Sequence, residues 1–153
     1  GGGKALGERY ADAEFVDRSR KPGAVCESAR NFFLNTIKPL ELHSISQEEM
    51  EQNILHIYMD LYHAYQKQKR FIPEGNLFEV RFEDIEQDAL GMTARIYQDL
   101  SLPGWEEARP AIEKYIGGKK GYKKNKYAYD PRTVSLVNEH WGEVLDAWGY
   151  PRL

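Results

Sequence analysis

"RSRKPGAVCESARNFF", Arg18 to Phe33, places two arginines, a lysine and a proline directly after the apolar run "AEFV" and then opens a helical pattern. Basic side chains at the end of a strand, just ahead of a helix N-terminus, describe a place where an anion can sit. Upstream, the alternation in "DAEFVDR" predicts a short strand over Ala13 to Arg18, with Phe15 and Val16 facing a sheet covered on both sides. Downstream, Val25, Ala29, Phe32, Phe33 and Ile37 recur at helical spacing, with Pro22 suited to the first turn and Pro39 ending the run. In a helix that begins at Pro22, the unpaired N–H groups of the first turn point toward the strand end where Arg20 emerges. A hydroxyl at Ser28, in the second turn, adds a short neutral donor if it lies on the face beneath Arg20. By spacing alone the same residues also read as an ordinary surface arginine and a helix serine.

The rest of the chain repeats the strand-to-helix step. In "SISQEEMEQNILHIYMDLYHAYQKQKRFIPEG", Ser46 is the N-cap and Glu49 its capping-box partner, and Met50, Ile54, Ile57, Leu61 and Tyr65 line one face. "NLFEVRFE", Asn76 to Glu83, alternates as a strand, and a helix over about Ala89 to Leu100 follows, closed by Pro103 and Gly104. "WEEARPAIEKYI" continues as helix, and "GGKKGYKKNKYAYD" reads as a glycine- and lysine-rich loop. "DPRTVSLVNEHWGEVLDAWGY" is one last amphipathic helix with Asp130 as N-cap and Pro131 at its first position. The fold class is therefore α/β and predominantly helical, with few parallel strands and flanking helices, in a single domain over residues 1–153. Two parallel strands make a poor sheet alone, so the sheet is expected to be partial or completed by another copy.

Composition excludes several classes. With 153 residues, 41% hydrophobic and 29% charged, the chain is neither fibrous nor disordered. A formal net charge of −3 argues against a general nucleic-acid or membrane-surface binder and makes any basic cluster informative. The single Cys26 rules out an internal disulfide, which favours a reducing compartment such as the cytoplasm. No stretch reaches the roughly 18 apolar residues of a membrane span, no signal peptide is visible, and no metal-ligand spacing occurs.

"RKPGAVCES" resembles the Arg-x-Pro-x5-Ser pattern of sulfotransferases that use 3′-phosphoadenosine 5′-phosphosulfate (PAPS). "YADAEFVDRSRKP" is similar to that family's strand leading into the motif. "GNLFEVRFEDIEQDALGMTARIYQDLSLPG" resembles its "VRYEDL…DP…L..IY..LGLP" segment, and "YIGGKKGYKKNKYAYDP" with "WGEVLDAWGY" resembles the C-terminal end of bacterial-type members. The resemblance runs from about Tyr10 to Tyr150. It implies a P-loop-like fold in which Arg20 and Ser28 bind the nucleotide's 3′-phosphate, and in which Lys119, Lys120 and Gly121 match a triplet that closes over the same phosphate. Without the resemblance, those lysines read as a solvated loop. The resemblance also implies that the loop cradling the 5′-phosphosulfate and the catalytic base lie upstream of this sequence, so no catalytic residue is assigned.

Other candidates carry weaker signals. Glu83 and Asp84 are adjacent acids at a strand-to-helix junction, where capping explains them better than catalysis. His56 and His63 lie seven residues apart on one helix face, His43 is in a loop, and His140 sits beside Trp141. The Tyr58, Tyr62 and Tyr65 stripe reads as helix interface. The expected activity is transfer of a sulfuryl group from PAPS to a hydroxyl or amine acceptor, incomplete in this chain alone. The alternative is a non-catalytic nucleotide-binding or interaction module, and a kinase is disfavoured because a Walker lysine followed by Ser or Thr is missing. The expected partners are the nucleotide, an unknown acceptor and a second copy of the chain pairing with its open sheet edge.

Overall fold

The computed structural model of the chain describes residues 13–40, 45–118 and 128–153. Two compact units emerge, one from Gly1–Ser19 with Lys67–Asn125 and the other from Arg20–Gln66 with Lys126–Leu153.

In the first unit β1 (Phe15–Ser19) pairs in parallel with β2 (Leu77–Arg81), Phe15 opposite Leu77 and Ser19 opposite Arg81. The α/β class with few parallel strands is therefore correct, and β1 starts two residues later than the alternation predicts. Phe78 and Val80 of β2 are buried with Leu100, and Ile85, Met92, Ile96 and Leu102 close over them. Val16, the register partner of Phe78, is 49% exposed, so the expectation of a sheet covered on both faces fails at β1. The covering side chains reach β2 and leave Val16 half open.

β2 also ends earlier than expected. Phe82 already begins a helix, the third of α1 (Pro22–Phe32), α2 (Gln47–Lys69), α3 (Phe82–Gln87), α4 (Ala89–Asp99) and α5 (Trp105–Gly118) in chain order. The strand predicted to run to Glu83 gives way to α3 because Asp84, in its first turn, accepts two bonds of 2.8 Å from the Arg81 guanidinium. That fork holds the Asp84 carboxyl below the usual carboxylate range and favours the helix start. Asp88 then caps α4 by accepting from the Gly91 N–H at 2.8 Å.

The end of α4 is a Schellman turn: Leu102 N–H donates to Tyr97 O and Ser101 N–H to Gln98 O. Ser101 pays for this with a left-handed φ of 53°. The same two-bond turn closes α7 (Gly142–Ala147) in the other unit, where Gly149 takes the left-handed position at φ 65°. Ser101→Gly is accordingly expected to stabilise the chain by about 1 kcal/mol, read as a rise in the urea midpoint. A fall would show that the serine side chain contributes more than its backbone strain costs.

The second unit is helical. α1 continues into a π-helical turn at Phe33–Ile37 and a 3-10 turn at Lys38–Leu40. α2 begins as predicted, with Ser46 N–H donating to Glu49 Oε2 at 2.8 Å and Glu49 N–H donating to Ser46 Oγ at 3.1 Å. Its buried face differs from the predicted one. Met50 and Leu55 are buried, but Ile57 and Leu61 are 59% and 65% exposed. The stripe turns toward Leu55, Tyr58 and Met59 because Trp141 packs there. Trp141 is fully buried, its Nε1–H donates to Leu55 O at 3.1 Å, and its ring lies 4.1 Å from that of Tyr58. Cys26, Val137, Leu145 and Tyr150 complete this core.

The last helix is split where one continuous helix was expected. α6 (Pro131–His140) ends at Trp141, whose φ of −113° and ψ of 18° break the helical run, and α7 follows. A Cβ at Gly142 would lie 2.7 Å from an Arg152 guanidinium nitrogen, so a larger residue there would push the Arg152 side chain aside.

Candidate functional site

The predicted anion site begins where two residues, Arg20 and Lys21, join β1 to α1. Pro22 opens α1 with no N–H to satisfy, and the N–H groups of Ala24 and Val25 donate to Lys21 O. No side chain caps this helix, and no acid lies in its first turn. Among the described residues every other α-helix has one or the other: Ser46 with Glu48 and Glu49 at α2, Glu83 and Asp84 at α3, Asp88 at α4, Glu106 and Glu107 at α5, Asp130 at α6 and Glu143 at α7. The positive end of the α1 dipole thus lies next to Arg20 and Lys21 with no capping side chain and no acid in the helix's own first turn.

Both residues predicted for the 3′-phosphate belong to the same compact unit. Arg20 is half-buried, and Ser28 is exposed on α1, about 9 Å along the axis from Pro22. Lys119, Lys120 and Gly121 lie outside the described residues, as does His43.

The start of α1 is fixed from two sides. A Cβ at Gly23 would meet Leu153 Cδ1 at 2.7 Å and the Tyr129 ring at 3.0 Å, so a larger residue would displace both side chains. Leu153 is itself held by Asn138, whose Oδ1 accepts from the Leu153 N–H and whose Nδ2 donates to the Leu153 carbonyl.

Behind the helix lies an ion cluster that motif reading missed. Arg30 donates to Glu27 Oε1 and Glu51 Oε1, both at 3.1 Å, and to Asp130 Oδ2 at 3.4 Å. Glu51 is only 4% exposed, and an Arg132 nitrogen lies 2.7 Å from its other oxygen. Thr133, fully buried, donates from Oγ1 to Glu27 Oε1. Glu27 and Arg30 stand at helical ion-pair spacing in the sequence, but their link to Glu51 has no local signal.

Electrostatics follow from these contacts. Burial pushes the Cys26 thiol up to about 11, against the opposing pull of Arg30, so it is neutral and unreactive at pH 7. The Thr133 N–H, with Arg30 assisting, holds the Asp130 carboxyl below its ordinary value. A lowered folded value means that the stabilisation is complete above the unfolded carboxylate range and is lost as pH falls through the folded value. Asp130→Asn, which keeps the N-cap acceptor, is expected to flatten the acid limb of a plot of thermal midpoint against pH; an unchanged limb would remove Asp130 from the acid response.

Among the remaining candidates, Asp84 and His63 each have a carboxylate or guanidinium partner of their own. Asp84 is held by Arg81, as above, and Glu83 shares the first turn of α3. His56 is exposed on α2, and His63 Nε2 lies 3.3 Å from Glu143 Oε2 in a pair about half exposed. Tyr58 is the member of the tyrosine stripe that stacks in the core. Among the described residues no helix is long and apolar enough to cross a membrane.

A family model described as "Sulfotransferase family" matches residues 3–107. Two curated relatives, the omega-hydroxy-beta-dihydromenaquinone-9 sulfotransferases Stf3 of Mycobacterium bovis and Mycobacterium tuberculosis, are each 28% identical to the chain over 149 residues. The match covers 97% of this chain and 38% of each relative, so the chain spans well under half of their length. No solved structure matches.

Proposed function

Because the chain belongs to the sulfotransferase family, we propose that its Arg20–Ser28 segment holds the 3′-phosphate of PAPS in an enzyme that sulfates a hydroxyl acceptor. The observation that carries this reading is the start of α1. A helix with no acid in its first turn and no side-chain cap follows directly on Arg20 and Lys21, and Ser28 stands exposed on it. A doubly charged phosphate suits the forked guanidinium, the dipole and a hydroxyl together. A hydroxyl is preferred to an amine because the two relatives are named for an omega-hydroxy substrate.

In the reaction, the acceptor oxygen attacks sulfur, the bond from sulfur to the bridging phosphate oxygen breaks, and 3′-phosphoadenosine 5′-phosphate (PAP) leaves. The acceptor proton passes to a base. The role proposed for this chain is to grip the end of the nucleotide remote from sulfur, turning binding energy there into alignment of the reacting bond. Lys119, Lys120 and Gly121 are proposed to close over the same phosphate. No residue is proposed as the base.

Titration calorimetry of the chain with PAP and, in parallel, with adenosine 5′-phosphosulfate tests the reading, since only the first carries a 3′-phosphate. Binding of PAP alone is the expected result. Binding of neither would favour a non-catalytic interaction module built on the same fold. Self-association through the half-exposed β1 belongs to the proposal as well; a monomer mass in light scattering at high concentration would count against it.

A further inference from the structure

We infer that Arg30 is a positioning residue for the 3′-phosphate site, setting the rotation of α1 and so the direction in which Ser28 presents its hydroxyl. The inference rests on the reading of Arg20 and Ser28 given above and extends it to a side chain that no motif assigns. Two residues of α-helix turn about 200°, which puts Arg30 and Ser28 on nearly opposite sides of α1. Ser28 is exposed, whereas Arg30 is 12% exposed and faces Glu27 on its own helix, Glu51 on α2 and Asp130 at the cap of α6. The site side of the helix is therefore governed from behind.

A guanidinium is suited to that task. Its donors have fixed directions in one plane, so bonds to carboxylates on two other helices are compatible with one rotation of α1. The small apolar contacts on this side, such as that of Cys26, are non-directional and set no such angle. Glu51 gives the arrangement its stringency. At 4% exposure it needs its cations, and any rotation that withdrew Arg30 would leave a buried carboxylate short of a partner. Arg132 and Gln47 hold Glu51 from other directions, so the acceptor side of the cluster stays in place while Arg30 selects the angle.

A double-mutant cycle separates positioning from general support of the fold. PAP affinity is measured by calorimetry for the wild-type chain, Arg30→Lys, Ser28→Ala and the double variant, each confirmed folded by circular dichroism. Lysine keeps the charge and loses the fork. Each single change is expected to weaken PAP about three- to tenfold, and the double variant to bind like Ser28→Ala alone, because Arg30 acts through Ser28. Independent, multiplying losses, or an Arg30→Lys chain that binds like wild type, would overturn the inference and leave the 3′-phosphate reading standing. A wild-type chain that does not bind PAP would overturn both. Glu27→Gln, which retains volume and can still accept from Thr133, runs the same cycle should Arg30→Lys fail to fold.

Discussion

Trp141→Ala is expected to cost about 3–5 kcal/mol of folding stability, the range for deleting a fully buried large aromatic. Trp141 has no exposed surface, stacks on Tyr58 at 4.1 Å and donates to Leu55 O, so alanine leaves a void between α2 and the α6–α7 break. Domains of ordinary stability have about 5–15 kcal/mol in total, so the variant should unfold at much lower urea or lose cooperative unfolding. Trp141→Phe keeps a ring against Tyr58 and sacrifices the indole bond, and is expected to retain much of the stability. A loss below about 1 kcal/mol for alanine would contradict the packing described for this core.

Arg20→Ala carries the largest expected effect on binding. Removing a charge-assisted bond to phosphate forfeits roughly 1.5–3 kcal/mol, which corresponds to about a ten- to hundredfold loss of PAP affinity. Stability should change little, because Arg20 is only half-buried at the lead-in to α1. Arg20→Lys restores a point charge without the fork and is expected to fall between wild type and alanine. Calorimetry at fixed ionic strength reads the difference, since phosphate contacts weaken with salt. Equal affinity in Arg20→Ala and wild type would remove Arg20 from the site.

The features legible in the sequence are those whose chemistry is local. Ser46 with Glu49, and Asp130 followed by Pro131, announce helix starts because cap and capped N–H groups lie within three residues, and both caps form as read. The parallel strand pair was readable from alternation beside helical periods. The face of α2 was not, because several apolar stripes overlap on that helix and Trp141, 86 residues beyond Leu55, decides which one is buried. For the same reason Ile57 and Leu61 passed for core residues while standing exposed. The split at Trp141 has no signal in the sequence because the apolar spacing continues through it, although the Trp141 backbone at φ −113° and ψ 18° leaves the helical run.

The candidate site divides in the same way. Arg20, Pro22 and Ser28 are close in sequence, so one motif contains them. Arg30 looks like half of a surface pair with Glu27. Its other partners, Glu51 and Asp130, lie 21 and 100 residues away, and the burial that gives Glu51 its consequence exists only in the folded chain.

The central claim is that the 3′-phosphate is held at the start of α1, and backbone amide NMR of the ¹⁵N-labelled chain tests it most directly. Addition of PAP should shift the amide signals of Lys21 and of Gly23 to Ser28, and adenosine 5′-phosphosulfate at equal concentration should leave them in place. Shifts confined to other segments, or the same shifts with both nucleotides, would contradict the account.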